Sequence, residues 1–180
     1  MTWLFGLTQK HQILQTDTVE ESEGVNLTTV IIKQGQETKI MNFVRKENAY
    51  SLSKTGKARF AQLHPSLQAI ISEVLHYRDI SITCSYRSRE EQEEAYRKGN
   101  SRARFGQSAH NFLPARAVDI VPYPIPMKNG GWDNNSKEWD ELAQLFLEIA
   151  KRKNIEITWG GTFTKLVDKP HFELKNWRQM

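Results

Sequence analysis

The side chains best suited to chemistry lie in two short stretches. His110 and Asp119 stand nine residues apart within 107–121, on either side of a proline-bearing turn. His171 follows in Asp168-Lys169-Pro170-His171-Phe172-Glu173. Two nitrogens and one carboxylate, with a fourth position left open, are what a catalytic zinc site takes from a protein. The spacing sets conditions on such a site. An odd separation along a straight strand sends side chains to opposite faces, so His110 and Asp119 converge only if Leu113-Pro114-Ala115 breaks the strand. Asp168 and His171 are three apart, and the proline before the histidine argues against a helix interior. Both are therefore expected on a turn leading into a strand. Taken singly, each pair also reads as ordinary structure: a His and an Asp around a turn, a surface Asp beside a half-buried His.

The elements that must position these residues follow from periodicity. Residues 1–50 read as a separate extension, with an acidic loop over 16–24. Two β-branched runs, 25–33 and 38–45, flank the turn-forming Gln34-Gly35-Gln36-Glu37 and predict a hairpin. No chemistry is visible in the extension, and His11 reads as a surface residue. Residues 51–180 form the second unit. Leu67, Ile70, Ile71, Val74 and Leu75 repeat at three- and four-residue spacing, predicting a helix over 66–77 with Ser66 near its N-cap. A strand is expected over 79–85, a helix over 89–99 ending at Gly99, and a strand over 117–121 stopped by Pro122, Pro124 and Pro126. A Gly/Asn-rich loop over 129–136 precedes a helix over 136–153, with Trp139, Leu142, Leu145, Phe146 and Ile149 facing inward. Strands over 155–159 and 170–174 follow, with Gly160-Gly161 as a tight turn or the floor of a pocket. Helices and strands interleave without the regular alternation of a parallel fold, so the expected class is α+β, with helices packed on a small antiparallel sheet.

Composition narrows the partners. The chain has 180 residues, with 25 Lys+Arg against 21 Asp+Glu, a net charge of +4 and a pI near 9.2. That balance suits an anionic partner such as cell wall, nucleic acid or membrane surface, without selecting one. The basic run from Arg97 to Arg104 belongs to no recognised nucleic-acid motif and reads as a solvated face. The single cysteine, Cys84, excludes a disulfide framework and a multi-cysteine zinc site, and is expected as a small buried residue on its strand. The apolar patch in Trp3-Leu4-Phe5-Gly6-Leu7 is too short for a secretory core or a membrane span, which places the chain in the cytoplasm of the producing cell.

Ser108-x-His110, Ala117-x-Asp119 and Asp168-x-x-His171, in that order, resemble the metal and base motifs of the zinc D-alanyl-D-alanine carboxypeptidase and L-alanyl-D-glutamate endopeptidase family. Ser85-Tyr86-Arg87-Ser88 followed by Gln92 resembles the same family's arginine motif, and Leu63-His64-Pro65-x-Leu67 is similar to its lead-in. The likeness covers residues 51–174 and is nearest to the short bacteriophage endolysins and the related bacterial cell-wall endopeptidases, which share the Asp-x-Pro-His-Phe-Glu ending. It implies a hedgehog/DD-peptidase-like fold and a Zn2+ ion held by His110, Asp119 and His171. It also implies Asp168 as the base that activates the metal-bound water, and Arg87 as the cation that stabilises the oxyanion or anchors a substrate carboxylate. Arg87, Tyr86, Gln92 and Ser108 are the implied substrate-binding residues, Ser108 also shaping the ligand loop by hydrogen bonding. One departure stands out: the family has a glycine between the first two ligands and a ligand-to-ligand spacing of seven, where this chain has Leu113-Pro114-Ala115-Arg116 and a spacing of nine.

The implied activity is hydrolysis of an amide bond in peptidoglycan stem peptide. An L-alanyl-D-glutamate endopeptidase acting as a monomeric phage-type endolysin is expected, without membrane insertion, reaching the wall on lysis. The alternatives are a D-alanyl-D-alanine carboxypeptidase and a non-catalytic, zinc-containing wall-binding module.

Overall fold

The computed structural model describes residues 12–15, 26–34 and 37–180. The N-terminal apolar patch, His11, the acidic loop over 16–24 and the turn at 35–36 lie outside the described residues. The chain divides into two compact units, Met1–Arg45 and Lys46–Met180.

In the first unit β1 (Gln12–Gln15), β2 (Asn26–Gln34) and β3 (Glu37–Arg45) form an antiparallel sheet in the order β1-β2-β3. The β2–β3 register is unbroken from Asn26 opposite Arg45 to Gln34 opposite Glu37, a hairpin ladder. It sets Val30 opposite Met41, both buried, with Phe43 packed on them. The third strand, β1, carries four residues with no alternation to announce it.

The second unit builds the rest. It runs through α1 (Lys54–Ala61), α2 (Pro65–Val74), β4 (Ile80–Cys84), α3 (Arg89–Arg97), β5 (Ala117–Pro122), β6 (Met127–Lys128) and β7 (Gly131–Trp132). Then come α4 (Lys137–Arg152), β8 (Ile157–Trp159) and β9 (His171–Leu174). Four of its strands make one antiparallel sheet in the order β4-β5-β9-β8. The class is therefore α+β, four helices with small antiparallel sheets. No helix among the described residues is long and apolar enough to cross a membrane.

Helix starts follow capping chemistry. Ser53 Oγ accepts from the Gly56 amide at 3.0 Å to open α1. Ser88 and Glu91 form a reciprocal capping box on α3. The expected cap of α2 at Ser66 is corrected: His64 is the cap, its Nδ1 accepting from the Ser66 amide at 3.2 Å, with Pro65 in the first turn, where its missing N–H costs nothing. The Gly/Asn-rich loop also contains more order than expected. Asn129 and Gly130 both take positive φ, 53° and 80°, the backbone of a two-residue hairpin turn joining β6 and β7.

The core sits where α2 and α4 cover the sheet. All five apolar positions expected on the α4 stripe are buried, as are Leu67, Ile70, Ile71, Val74 and Leu75 on the α2 side. Phe146 stacks on Phe172 with ring centroids 4.3 Å apart. Because side chains alternate along a strand, Phe172 and Leu174 of β9 enter this core while His171 and Glu173 point to the opposite face.

Phe146→Ala removes the ring that seats Phe172 between two site residues. A loss of about 3–5 kcal/mol in unfolding free energy is expected from urea titration; a loss below about 1 kcal/mol would show that the core closes around the gap.

Candidate functional site

Strand register assembles most of the site. Cys84 of β4 lies opposite Asp119 of β5, and Asp119 lies opposite His171 of β9, a row of three across the sheet. His110 reaches the row from outside the sheet, on a 3₁₀ turn (Ala109–Asn111). Ser108 Oγ accepts from the His110 amide at 3.3 Å, and Asn111 ties the turn down by donating to the Arg87 carbonyl at 3.0 Å and accepting from Gly106 N at 3.0 Å. The chain then passes Pro114 to Ala115, which is fully buried and pinned to the α1–α2 junction. Ala115 N donates to Gln62 O at 2.7 Å, and His64 N donates to Ala115 O at 2.9 Å. The glycine-free connection thus enters the strand from a turn outside the sheet, and the odd spacing no longer separates the two side chains.

Three donor atoms converge. His110 Nε2 is 3.1 Å from Asp119 Oδ1, His171 Nδ1 is 3.0 Å from the same oxygen, and the two ring nitrogens are 3.1 Å apart. Donors about 2.0–2.1 Å from a tetrahedral ion stand about 3.3 Å from one another, so this triangle has the edges of one face of such a site. The outer ring nitrogens are fixed as a metal ligand requires. His110 Nδ1 donates to the Ser85 carbonyl at 2.6 Å, leaving the Nε2 lone pair facing Asp119. His171 Nε2 is 3.3 Å from Glu173 Oε2, leaving its Nδ1 lone pair facing inward. The residues present fit a metal ion.

Cys84 is half-buried rather than buried, 3.8 Å from His110 Nδ1 and 3.5 Å from Arg87 Nη2. It faces the Nδ1 side of the His110 ring, and its thiol forms with donor atoms of His110 and Asp119 a second group all within 4.8 Å of one another. The expectation of a plain core cysteine is corrected to that extent. Register alone brings it there.

The charges of the triangle shift one another's titration. Burial by itself lowers the His110 pKa, but the Asp119 carboxylate more than reverses this and leaves it at about 10. His171 follows the same course to about 9, with hydrogen bonds to Asp119 and Glu173 overcoming burial. Burial pushes the Asp119 carboxyl up, and the two histidines hold it well below the usual carboxylate range. Asp168 behaves differently. Burial first, and then the Asp119 charge, raise its pKa above the ordinary value.

Asp168 offers a carboxylate oxygen that lies, with the donors of Asp119 and His171, in a group all within 4.8 Å of one another. Its turn rests on Gly160, whose carbonyl accepts from Asp168 N at 3.0 Å. A β-carbon at Gly160 would collide with the Asp168 carbonyl and lie 2.9 Å from His171 Cβ, so backbone passes where no side chain fits. Gly160 opens a 3₁₀ turn (Gly160–Thr162) below the site. The adjacent Trp159 donates from its indole to Lys169 O at 2.8 Å, bracing the same turn.

Arg87 faces the cleft with Nη2 3.5 Å from Asp119 Oδ2 and Nη1 3.3 Å from Gln92 Oε1. Gln92, expected to touch substrate, is fully buried, and its amide donates to Ser101 Oγ at 3.0 Å and Ala103 O at 2.6 Å. It positions Arg87 and the following loop instead. Tyr86 lines a separate hollow with Arg59 and Glu91, on the far side of Arg87. Ser108 lines the main cleft and caps the His110 turn. Glu173 received no role from sequence, although its two-residue offset from His171 on a strand puts both on one face.

The cleft itself has a volume of about 410 Å³. Arg87, His110, Asp168 and His171 line it, with residues 100–103, 163–166 and 177–178 among its walls.

The phage L-alanyl-D-glutamate peptidase family model matches residues 48–175. The peptidoglycan L-alanyl-D-glutamate endopeptidase CwlK of Bacillus subtilis (strain 168) is 33% identical over 112 residues, 53% of this chain and 60% of CwlK. This chain therefore matches less than two thirds of that relative's length. The crystal structure of the Serratia marcescens L-Ala D-Glu endopeptidase ChiX superposes with a TM-score of 0.56 at 27% identity, covering 72% of this chain and 92% of that one.

Two outcomes follow from the site's geometry. Metal ligands must be neutral imidazoles, whereas the Asp119 carboxylate pushes the His110 and His171 pKa values up to about 10 and 9. Binding of a divalent ion near pH 7.5 is therefore expected to release roughly one to two protons. Calorimetry in buffers of different ionisation enthalpy measures this, with affinity rising as pH rises toward 9; proton-free binding would contradict the site. Glu173→Gln is expected to weaken the ion's affinity by about 10- to 100-fold, read by competition with a chelator.

Proposed function

The chain belongs to the phage L-alanyl-D-glutamate peptidase family, and we propose that it is a zinc-dependent endopeptidase that cleaves the L-alanyl-D-glutamate bond of peptidoglycan stem peptides as a phage-type lytic enzyme. The observation that carries this reading is the donor triangle of His110, Asp119 and His171, with the Asp168 carboxylate beside it at the floor of an open cleft.

Two imidazoles and a carboxylate suit zinc among the common divalent ions. When bound, zinc supplies an acidified water and polarises the scissile carbonyl. The chain's own residues do the rest. Asp168 accepts a proton from the attacking water and returns it to the leaving amine. A carboxyl group whose pKa is raised by burial and by the Asp119 charge is suited to both halves of that transfer. Arg87 presents a fixed cation for negative charge developing on the carbonyl oxygen, held in place by Gln92 and Asp119. The walls align the bound peptide.

The same reading has the protein act as a monomer on peptidoglycan, without membrane insertion or nucleic acid. It accumulates in the cytoplasm of the producing cell and meets the wall on lysis. The likeness to a phage family supports this, as does the mildly basic charge, suited to an anionic wall.

Digestion of purified sacculi, with mass spectrometry of the new termini, tests the activity. New D-glutamyl amino termini are expected; loss of terminal D-alanine alone would make it a carboxypeptidase. Asp168→Asn is expected to keep its metal while kcat falls by about 10²- to 10⁴-fold. An unchanged rate would remove Asp168 from the mechanism.

A further inference from the structure

Cations outnumber acids among the residues that line the cleft. The acidic residues lining it are Asp168 and Glu173, both beside the donor triangle. The rim carries Arg102, Lys165 and Arg178, from three separate segments of the chain. Among the described residues, no ion pair engages any of the three. Arg104 shows the contrast: two residues from Arg102, it pairs with Glu93 at 2.9 Å and lies over the Tyr96 ring, committed to structure.

Arg102 is presented by a built loop. The buried Gln92 amide holds Ser101 and Ala103, the residues on either side of it, and the same side chain accepts from Arg87. One buried group thus fixes both the arginine at the floor and the segment that carries the arginine at the rim. Arg178 sits over the buried Trp177 ring at 4.0 Å, a fixed cation on the same cleft.

We propose that Arg102, with Lys165 and Arg178, binds carboxylates of an acidic peptide, so that the enzyme selects stem peptides whose D-glutamate keeps a free α-carboxylate over those in which it is amidated. This rests on the reading above. The nitrogen of the scissile bond is attached to the carbon that bears this carboxylate, so amidation removes a charge next to the reacting amide. Charge-assisted hydrogen bonds from arginine or lysine to a carboxylate are the stronger kind, and their loss on amidation is felt in binding.

The test compares the zinc-loaded full chain on two stem tripeptides that differ only in a free or amidated D-glutamate α-carboxylate. A preference of about tenfold in kcat/KM for the free acid, carried by KM, is expected. Arg102→Gln and Lys165→Gln should shrink that ratio toward one. Lys175→Gln, outside the cleft and paired with Glu156, should leave it alone. Equal kcat/KM on both peptides overturns the proposal and leaves the bond assignment standing. If neither peptide is cleaved, the bond assignment fails, and calorimetry of zinc-loaded Asp168→Asn decides the proposal separately. Tighter binding of the free acid sustains it; equal binding, or none, overturns it.

Discussion

A carboxylate largely withdrawn from water needs countercharge, and the half-buried Asp119 is where this molecule meets that requirement. Its Oδ1 faces two imidazole nitrogens and its Oδ2 faces a guanidinium. Left alone at that depth the charge would be costly; surrounded, it organises everything nearby. Its charge raises the pKa of both histidines, and a bound cation would supply the countercharge in place of those protons. The outer nitrogens of both rings are already tied to the Ser85 carbonyl and to Glu173, so that exchange requires no reorientation of the ligands.

Two interior devices keep the arrangement rigid without touching the reacting atoms. Gln92 joins α3, Arg87 and the cleft wall through one amide. Gly160 lets backbone pass directly beneath Asp168 and His171, so that base and ligand share one support. In both cases the positioning residue is chemically inert, and its value lies in volume or hydrogen-bond geometry. The α2 and α4 cover serves the same end, since the Phe146–Phe172 contact holds the strand that carries His171 and Glu173.

What was legible in the sequence was what depends on local pattern. The inner stripes of α2 and α4 were readable because three- and four-residue apolar spacing leaves little choice, and the β2–β3 hairpin because β-branched runs flank a polar turn. His110, Asp119 and His171 were nameable from residue type and order, and they do come together. Long-range consequences were harder to read. Gln92 was expected to touch substrate because it follows Ser85-Tyr86-Arg87-Ser88 in the family's arginine motif, and only the fold shows it sealed beneath the 101–103 segment. Cys84 read as a plain strand residue, since its place beside Arg87 and His110 depends on which strand lies next to β4. The cap of α2 was displaced from Ser66 to His64 because a histidine ring can accept the amide that a serine would. Glu173 was findable by strand parity alone, once His171 was taken as a ligand.

The pairing of β5 with β9 carries a consequence for how the chain reaches this state. Hydrophobic pattern distinguishes the two faces of β9, but it says little about chemistry. If β9 slid by one residue, Phe172 would stand where His171 stands, and the donor triangle would lose a corner. An ion that needs all three donors therefore binds one strand alignment and stabilises it by mass action, leaving every neighbouring alignment without that contribution. A bound ion would thus favour the strand register that brings His171 to Asp119 over its neighbours.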